Sequence, residues 1–470
     1  MLIARTDISH KQNTSSKGWV GHDMAAVYAN VLKTAKDVLD KAGIDPGQIG
    51  AVGLSNQRET AVCWHRKSGE PLYEAVVWQC GRARQLVERM ERENFSGMVR
   101  ERTGLYLSPY FSAAKFAWMI ENVDSVKHAL AEGDLCCGTV DSWLVFKLTG
   151  GSSFKTDYSN ASRTMLVNLD TMDWDEQLIS VFGLRRECLP EICHSDSNFG
   201  MTTFQGLFPK PVPIHGVLGD SSAALFANRC ISPFTAKATY GTGSSVMMNA
   251  GLARPVPKEG IVASLAWGIN GEIPYVLEGN INYTGAVIKW LLEDIELIQS
   301  LDEAKELAQK VPDTNGVYLI PAFSGMGAPY FIETARAALT GMNRITKKAH
   351  IVRAAEECIA YQIKDVVERI NLSVPQAFKS LKTDGGPTRD SFLMQFQSDI
   401  LRIPIEISKI EELSGAGAAY CAAIGSGFSD EGRIFSGYTT KKIEPLMDEK
   451  KAAELYSGWI HAVEWVAAKK

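Results

Sequence analysis

Apolar positions along this chain switch repeatedly between two periods. In MAAVYANVLKTAKDVLDKAG, residues 24–43, Met24, Val27, Tyr28, Val31, Leu32, Ala35, Val38 and Leu39 gather on one side. That spacing predicts an amphipathic helix, opened after Asp23 and stopped at Gly43. Residues 50–55 (GAVGLS) are short and apolar, as a buried strand requires. They give way to the polar turn 56–60 (NQRET), then to strands at 61–64 and 75–78. Polar clusters thus follow strand ends, where open α/β sheets place ligands.

A helix is expected at 112–122, followed by an apolar stretch at 134–147. Residues 150–210, rich in Gly, Ser, Asp and Pro, read as an irregular crossing over the surface. Strands follow at 236–249, 262–268 and 274–278, a helix at 283–296, a strand at 316–321, a helix at 348–370 and a strand at 380–383. Helices at 390–400 and 414–427 complete the pattern. Two α/β halves meeting near residue 228 imply a cleft between them, and no short repeat interrupts them.

At 470 residues the chain is long enough for two or three domains. Its net charge of −5 and lack of a basic cluster argue against nucleic acid or an anionic membrane as partner. The nine cysteines include no CxxC pair, so neither a disulfide framework nor a zinc site is indicated, and no metal ligands are assigned. Buried thiols in a reducing cytosol fit better, and a cytoplasmic location is expected. No apolar run reaches the roughly eighteen residues of a membrane span, and the N-terminus lacks a signal-peptide core.

The candidate chemistry lies at two places. Residues 216–222 (GVLGDSS) put Asp220 at the end of a strand and the mouth of a small-residue helix, well placed to accept a proton. Residues 238–245 (ATYGTGSS) read as a hairpin whose Gly-Thr-Gly turn admits a phosphate closely, with Thr242 and Ser244 as hydroxyl donors. Taken singly, each also reads as plain structure: a strand end and a hairpin turn. Asp384-Gly385-Gly386 is a further glycine turn between strand and helix, and residues 412–419 (ELSGAGAA) suggest close helix–sheet packing. Arg58 and Glu59 are either a surface pair or a clamp for vicinal hydroxyls. Trp78 and Tyr110 are either core aromatics or walls for a small polar ligand. No Walker loop, protein-kinase loop, GxSxG elbow or HExxH pair is present.

Together these segments resemble the sugar and polyol kinases of the FGGY family, and within it the glycerol-phosphorylating branch. The resemblance runs through residues 53–82, through 103–123 with its Y-x-S-x-x-K-x-x-W signature, and through GTVDSWLVFKLTGG, TDYSNASRTML, 316–330, 350–367 and 384–401. It implies an α/β, two-domain, actin-like ATPase (ribonuclease H-like) fold with an interdomain cleft, a polyol-binding domain at 1–228 and a nucleotide-binding domain at 229–470. It further implies ATP-dependent phosphorylation of a primary hydroxyl, glycerol first, with ATP and Mg2+ as cofactors. By position, Asp220 would be the general base. Arg58, Glu59, Tyr110, Asp220 and Ser221 would hold the polyol, with Trp78 on its carbon edge. Gly241 and Thr242 would hold the γ-phosphate, and Gly285, Ile288, Lys289, Gly386 and Asp390 would line the nucleotide. Such enzymes commonly form homo-oligomers, although no interface signal stands out here.

Departures from the pattern open alternatives. Ser221 stands where a Gln is usual and Ser245 where an aromatic often packs, which suits a longer polyol or a ketose. Lys289 and Asp390 replace expected amides near the adenine. Family members also begin with a strand and a D-x-G-T-T-S type hairpin ahead of the segment matching residues 2–7. Its absence here leads to the expectation of a truncated kinase or a catalytically inactive binding or regulatory protein as the rival readings.

Overall fold

The computed structural model describes residues 2–468. Helix α1 (Met24–Ala42) is where the three-and-four spacing puts it. The Asp23 carboxylate caps it by accepting from the Ala25 and Ala26 amides, and Gly43 ends it at φ 64°. The first lobe is organised around strands β1 (Val52–Asn56), β2 (Met201–Thr202) and β3 (Val212–Gly219). β1 and β3 run parallel, with β2 antiparallel on the far side of β3. Helices α2 (Ser112–Asn122) and α3 (Val140–Leu148) pack around this lobe, and α4 (Asp220–Ala227) leaves directly from the end of β3.

The second lobe is built on a seven-stranded sheet. Its strands are β4 (Thr235–Tyr240), β5 (Ser244–Gly251), β6 (Val262–Leu265), β7 (Tyr275–Ile281), β8 (Leu381–Asp384), β9 (Ile405–Ser408) and β10 (Thr440–Ile443). Their order is β6-β7-β5-β4-β8-β9-β10. β4 and β5 form the expected hairpin, and β8 joins β4 in parallel, so the ends of β4 and β8 open side by side. The helix expected at 283–296 is a single turn, α5 (Gly285–Lys289), continued by a π-type turn at Trp290–Asp294. α6 (Lys348–Asn371) carries Val352, Ala355, Ile359, Ile363, Val366 and Ile370 on one buried stripe. α7 (Ser391–Leu401) and a C-terminal helix (Glu449–Ala467) complete this layer.

One helix crosses the division. α8 (Leu413–Gly425) follows β9 in sequence but packs on α4, β3 and β1 of the first lobe. Its small residues make this contact possible: a Cβ on Gly417 would sit 2.0 Å from the Ala223 carbonyl oxygen, and one on Gly53 2.5 Å from that of Ala418. The close packing expected of ELSGAGAA is therefore present.

The reading of 150–210 as a surface crossing is corrected. Thr156, Asp157, Asn160 and Arg163 are all at most 1% exposed. Their polar groups are satisfied by one another and by the first lobe rather than by water, so a composition typical of loops marks a buried network here. The strand expected at 75–78 shrinks to Ala75–Val76.

Candidate active site

Arg58 and Glu59 lie just past the end of β1, and both are nearly fully buried, which removes the surface-pair reading. A buried guanidinium requires compensation. Arg58 donates Nη1 to Glu278 Oε2 at 3.0 Å and Nη2 to Glu278 Oε1 at 2.8 Å, a fork-to-fork pair that joins the two lobes. Arg163 donates Nε to Glu59 Oε1 at 2.6 Å, and its Nη1 lies 3.1 Å from Glu278 Oε2. Two guanidiniums and two carboxylates thus form a closed, charge-balanced cluster. Burial alone would push the Glu278 carboxyl up, but the Arg163 and Arg58 charges hold it well below the usual range. Three guanidinium nitrogens, Arg58 Nε and Arg163 Nη1 and Nη2, have no hydrogen-bond partner among the described residues, although Nη1 keeps its ion-pair distance to Glu278.

Asp220 opens α4 beside this cluster. Its Oδ1 lies 3.4 Å from Arg58 Nε, and its side chain is 45% exposed, in contrast to the four buried charges of the cluster. Ser221 is turned back on it, donating through its amide at 2.6 Å and its hydroxyl at 3.3 Å. The Ser245 hydroxyl points at Glu278 Oε1, 3.4 Å away. Gly219 lets Arg58 pass beneath the strand end: a Cβ there would meet Arg58 Cγ at 2.5 Å. The strand end is fixed from below, where Gly219 N donates to Ser159 Oγ at 2.8 Å. Ser159 and Ser195 hydroxyls share Asp157 Oδ2, both at 2.7 Å, and Asn160 bridges Asp157 to Asn56. Asp141 joins this network through Thr139 at 2.5 Å and Thr156 at 2.7 Å.

Trp78 and Tyr110 meet edge to face, with ring centroids 5.7 Å apart, and Trp78 is 39% exposed. They form an aromatic wall near the cluster. Behind it, the fully buried Lys115 of α2 donates Nζ to the carbonyl oxygens of Glu59 (3.2 Å) and Tyr110. Burial presses this ammonium down to about 7, against the opposing pull of Glu59.

On its other side Asp220 faces a cavity of about 240 Å³ lined by Lys237, Thr239, Asp384, Gly385 and the start of α8. Gly385, at φ 99°, allows β8 and β4 to converge: a Cβ would fall 1.9 Å from the Tyr240 carbonyl oxygen. Thr242 is exposed at the tip of the hairpin turn, whose Gly241 carbonyl accepts from Gly285 N at 3.0 Å. Ser244 corrects its expectation, because its hydroxyl is buried against Thr284 Oγ1 at 2.8 Å and braces the turn. Gly386 faces open space, whereas Ile288 is buried in the core. Lys289 is at the surface near Glu293. The Asp390 carboxylate caps α7, accepting from Phe392 N at 2.8 Å and Leu393 N at 3.1 Å.

Asp220 therefore stands between a buried cluster with spare donors and a cavity at converging strand ends. A carboxylate so exposed can take a proton from a hydroxyl held against the cluster. The N-terminal domain model of the FGGY family of carbohydrate kinases matches residues 1–227, and its C-terminal domain model matches 236–426. The chain belongs to the FGGY family of carbohydrate kinases. This FGGY chain is 44% identical over 464 residues to glycerol kinase 1 of Thermotoga maritima, spanning 98% of the chain and 94% of the relative. It is 41% identical over 465 residues to glycerol kinase of Caldanaerobacter subterraneus, spanning 98% and 93%. Its two-domain fold matches the crystal structure of Plasmodium falciparum glycerol kinase with ADP at a TM-score of 0.91 and 33% identity, covering 98% of this chain and 92% of that one. Among more distant FGGY structures, ligand-bound xylulose kinase from Lactobacillus acidophilus gives a TM-score of 0.88 at 20% identity, covering 98% and 93%, a likeness of fold. Sequence reasoning singled out Arg58, Glu59 and Asp220 but gave no role to Arg163 and Lys115, which lie in the segments that carry the resemblance, or to Glu278 and Lys237.

Proposed function

We propose that this protein transfers the γ-phosphoryl group of ATP to a primary hydroxyl of glycerol. The observation that carries the reading is the position of Asp220, exposed between the Arg58–Glu278–Arg163–Glu59 cluster and the cavity at the ends of β4 and β8. Relatives named glycerol kinase, 40–44% identical along nearly the whole chain, supply the acceptor. Glycerol would lie against Trp78 and Tyr110, its hydroxyls taking the spare donors of Arg58 and Arg163. Asp220 would accept the proton of the attacking hydroxyl as it aligns with the γ-phosphorus; positioning and charge stabilisation do most of the rest.

The cavity suits a nucleotide in one specific respect. The Lys237 ammonium is buried in its wall with a single hydrogen bond and no carboxylate at ion-pair distance among the described residues, so an anionic group there would meet a cation with donors to spare. Thr242, Gly285 and Gly386 are the residues we assign to the nucleotide; Asp390 serves it only through α7. Among the described residues no three His, Cys, Asp or Glu gather to hold a metal. A magnesium ion brought in with the nucleotide would meet the carboxylates that line this cavity, Asp220 and Asp384 among them, and would offset phosphate charge there. Residues 1–228 and 229–470 are assigned as polyol and nucleotide lobes. Among the described residues no helix is long and apolar enough to cross a membrane. All nine cysteines are free, which supports a reducing compartment such as the cytoplasm.

The test is ADP release from Mg-ATP with glycerol, set against tetritols, pentitols and ketoses. Glycerol turnover is expected, falling about 10²–10⁴-fold in Asp220→Asn while ADP affinity stays within about threefold. Full activity in Asp220→Asn, or turnover confined to another acceptor, overturns the reading.

A further inference from the structure

Lys237 borders the proposed nucleotide cavity but has no role so far in the transfer step itself. It sits on β4 with its side chain 1% exposed, and its Nζ donates to Thr239 Oγ1 at 2.6 Å. Among the described residues, no carboxylate comes within the 4.0 Å of an ion pair with it. Asp384 and Glu278 feel its charge from beyond that distance: Asp384 also accepts from Asn228 Nδ2 at 2.9 Å, and Glu278 is held by two guanidiniums. An ammonium has three donors, and burial without a partner is costly. Lys237 lines the cavity that Asp220 faces.

The charges around that cavity sharpen the point. Asp220, Asp384, Glu411 and Glu412 line it, and Lys237 is the one cation among its described lining residues. Among the charged residues of this lining, Lys237 is the one that attracts a polyphosphate. Resting on the reading that this cleft takes a nucleoside triphosphate, we propose that the Lys237 ammonium is a further catalytic group, donating to the non-bridging oxygens of the phosphoryl group in transit. In that transfer the bond from the γ-phosphorus to the β,γ-bridging oxygen breaks, and its electron pair leaves with the diphosphate. The bond to the acceptor oxygen forms, and the acceptor's proton passes to Asp220. Lys237 keeps its protons and offsets charge on the equatorial oxygens.

Calorimetry on the full chain with magnesium, using ADP and the non-hydrolysable β,γ-imido analogue of ATP, tests this without turnover. In Lys237→Met the analogue's affinity should fall about tenfold or more, while that of ADP stays within about threefold. The turnover number should fall about 10²–10³-fold, as for loss of one preorganised donor. Lys237→Gln, which keeps an N–H for Thr239, guards against a methionine variant that does not fold and should show the same split. Lys237→Arg should recover part of the analogue's affinity. Equal losses for both nucleotides, or a turnover number within about threefold of wild type, overturn the proposal and leave Lys237 a brace for Thr239. If the wild type binds the analogue but does not phosphorylate glycerol, the acceptor assignment fails and the binding split still decides Lys237. If it binds neither nucleotide, both readings fall.

Discussion

Replacing Glu278 by Gln keeps its shape and one acceptor but removes one negative charge from a cluster that water does not reach. Arg58, Arg163, Glu59 and Glu278 have side chains at most 5% exposed, and their charges cancel. After the change, two guanidiniums share one buried carboxylate, with the half-exposed Asp220 3.4 Å from Arg58. Breaking a buried pair costs about 3–5 kcal/mol, because the surviving charge stays desolvated. The amide keeps part of the hydrogen bonding, so we expect about 3 kcal/mol. Urea unfolding at pH 7, followed by tryptophan fluorescence, measures it. Arg163→Met in the same background restores balance, with Arg58 facing Glu59. The double variant should therefore be more stable than the sum of its singles by about 1–3 kcal/mol. The pH dependence has a definite sign. The folded Glu278 carboxyl lies below its unfolded value of about 4.3, so its stabilisation is present above that pH and lost as pH falls. The penalty of Glu278→Gln should accordingly shrink below about pH 4. A single variant within about 1 kcal/mol of wild type at pH 7, or strict additivity in the cycle, would refute the claim that this cluster is a coupled buried unit.

Two further outcomes follow from groups beneath the site. Burial, aided by Asp157, lifts the Asp141 carboxyl to about 7 despite bonds from Thr139 and Thr156. Its folded value thus exceeds its unfolded one of about 3.9, and stability present at low pH is lost as pH rises towards 7, by up to about 1.4 kcal/mol per pH unit. Asp141→Asn should gain on wild type in urea midpoint between pH 5 and pH 8; parallel pH curves would count against this. Lys115→Met leaves the Tyr110 carbonyl without its buried donor and the Glu59 carbonyl with the Ser112 hydroxyl at 3.1 Å, a loss of about 1–3 kcal/mol. The glycerol KM should rise about tenfold with ADP affinity unchanged; an unchanged KM would show that Lys115 does not position the acceptor side.

Much of the fold was legible because its signals are local. The three-and-four stripe of α1 with Asp23 and Gly43, the hairpin around Gly-Thr-Gly, and the small residues of α8 each carry their own geometry. What escaped was partnership across the lobes. Glu278 sits in YVLEGNI, Lys237 in AKATY and Lys115 in AAKFAW, each one charge inside an apolar run. Such a charge must be compensated once buried, and that signal was available. Its partner was not, since Arg58 and Glu278 meet from elements more than two hundred positions apart. Ser244 was misassigned for the related reason that a hydroxyl near a glycine turn serves a ligand or a neighbour equally well, and Thr284 decides which. The stretch 150–210 failed because composition cannot distinguish polar groups that face water from those that satisfy one another.

The crossing of α8 has a consequence for how the chain is made. A ribosome that has reached residue 228 has produced every strand of the first lobe's sheet, yet not the helix that seals it. Until Leu413–Gly425 emerges, the glycine and alanine surface of α4, β3 and β1 has no cover. The first lobe cannot finish folding before the second is almost fully synthesised, so the usual order of domain by domain completion is reversed at this one seam. A cut near the middle of the chain would part this surface from the helix that covers it.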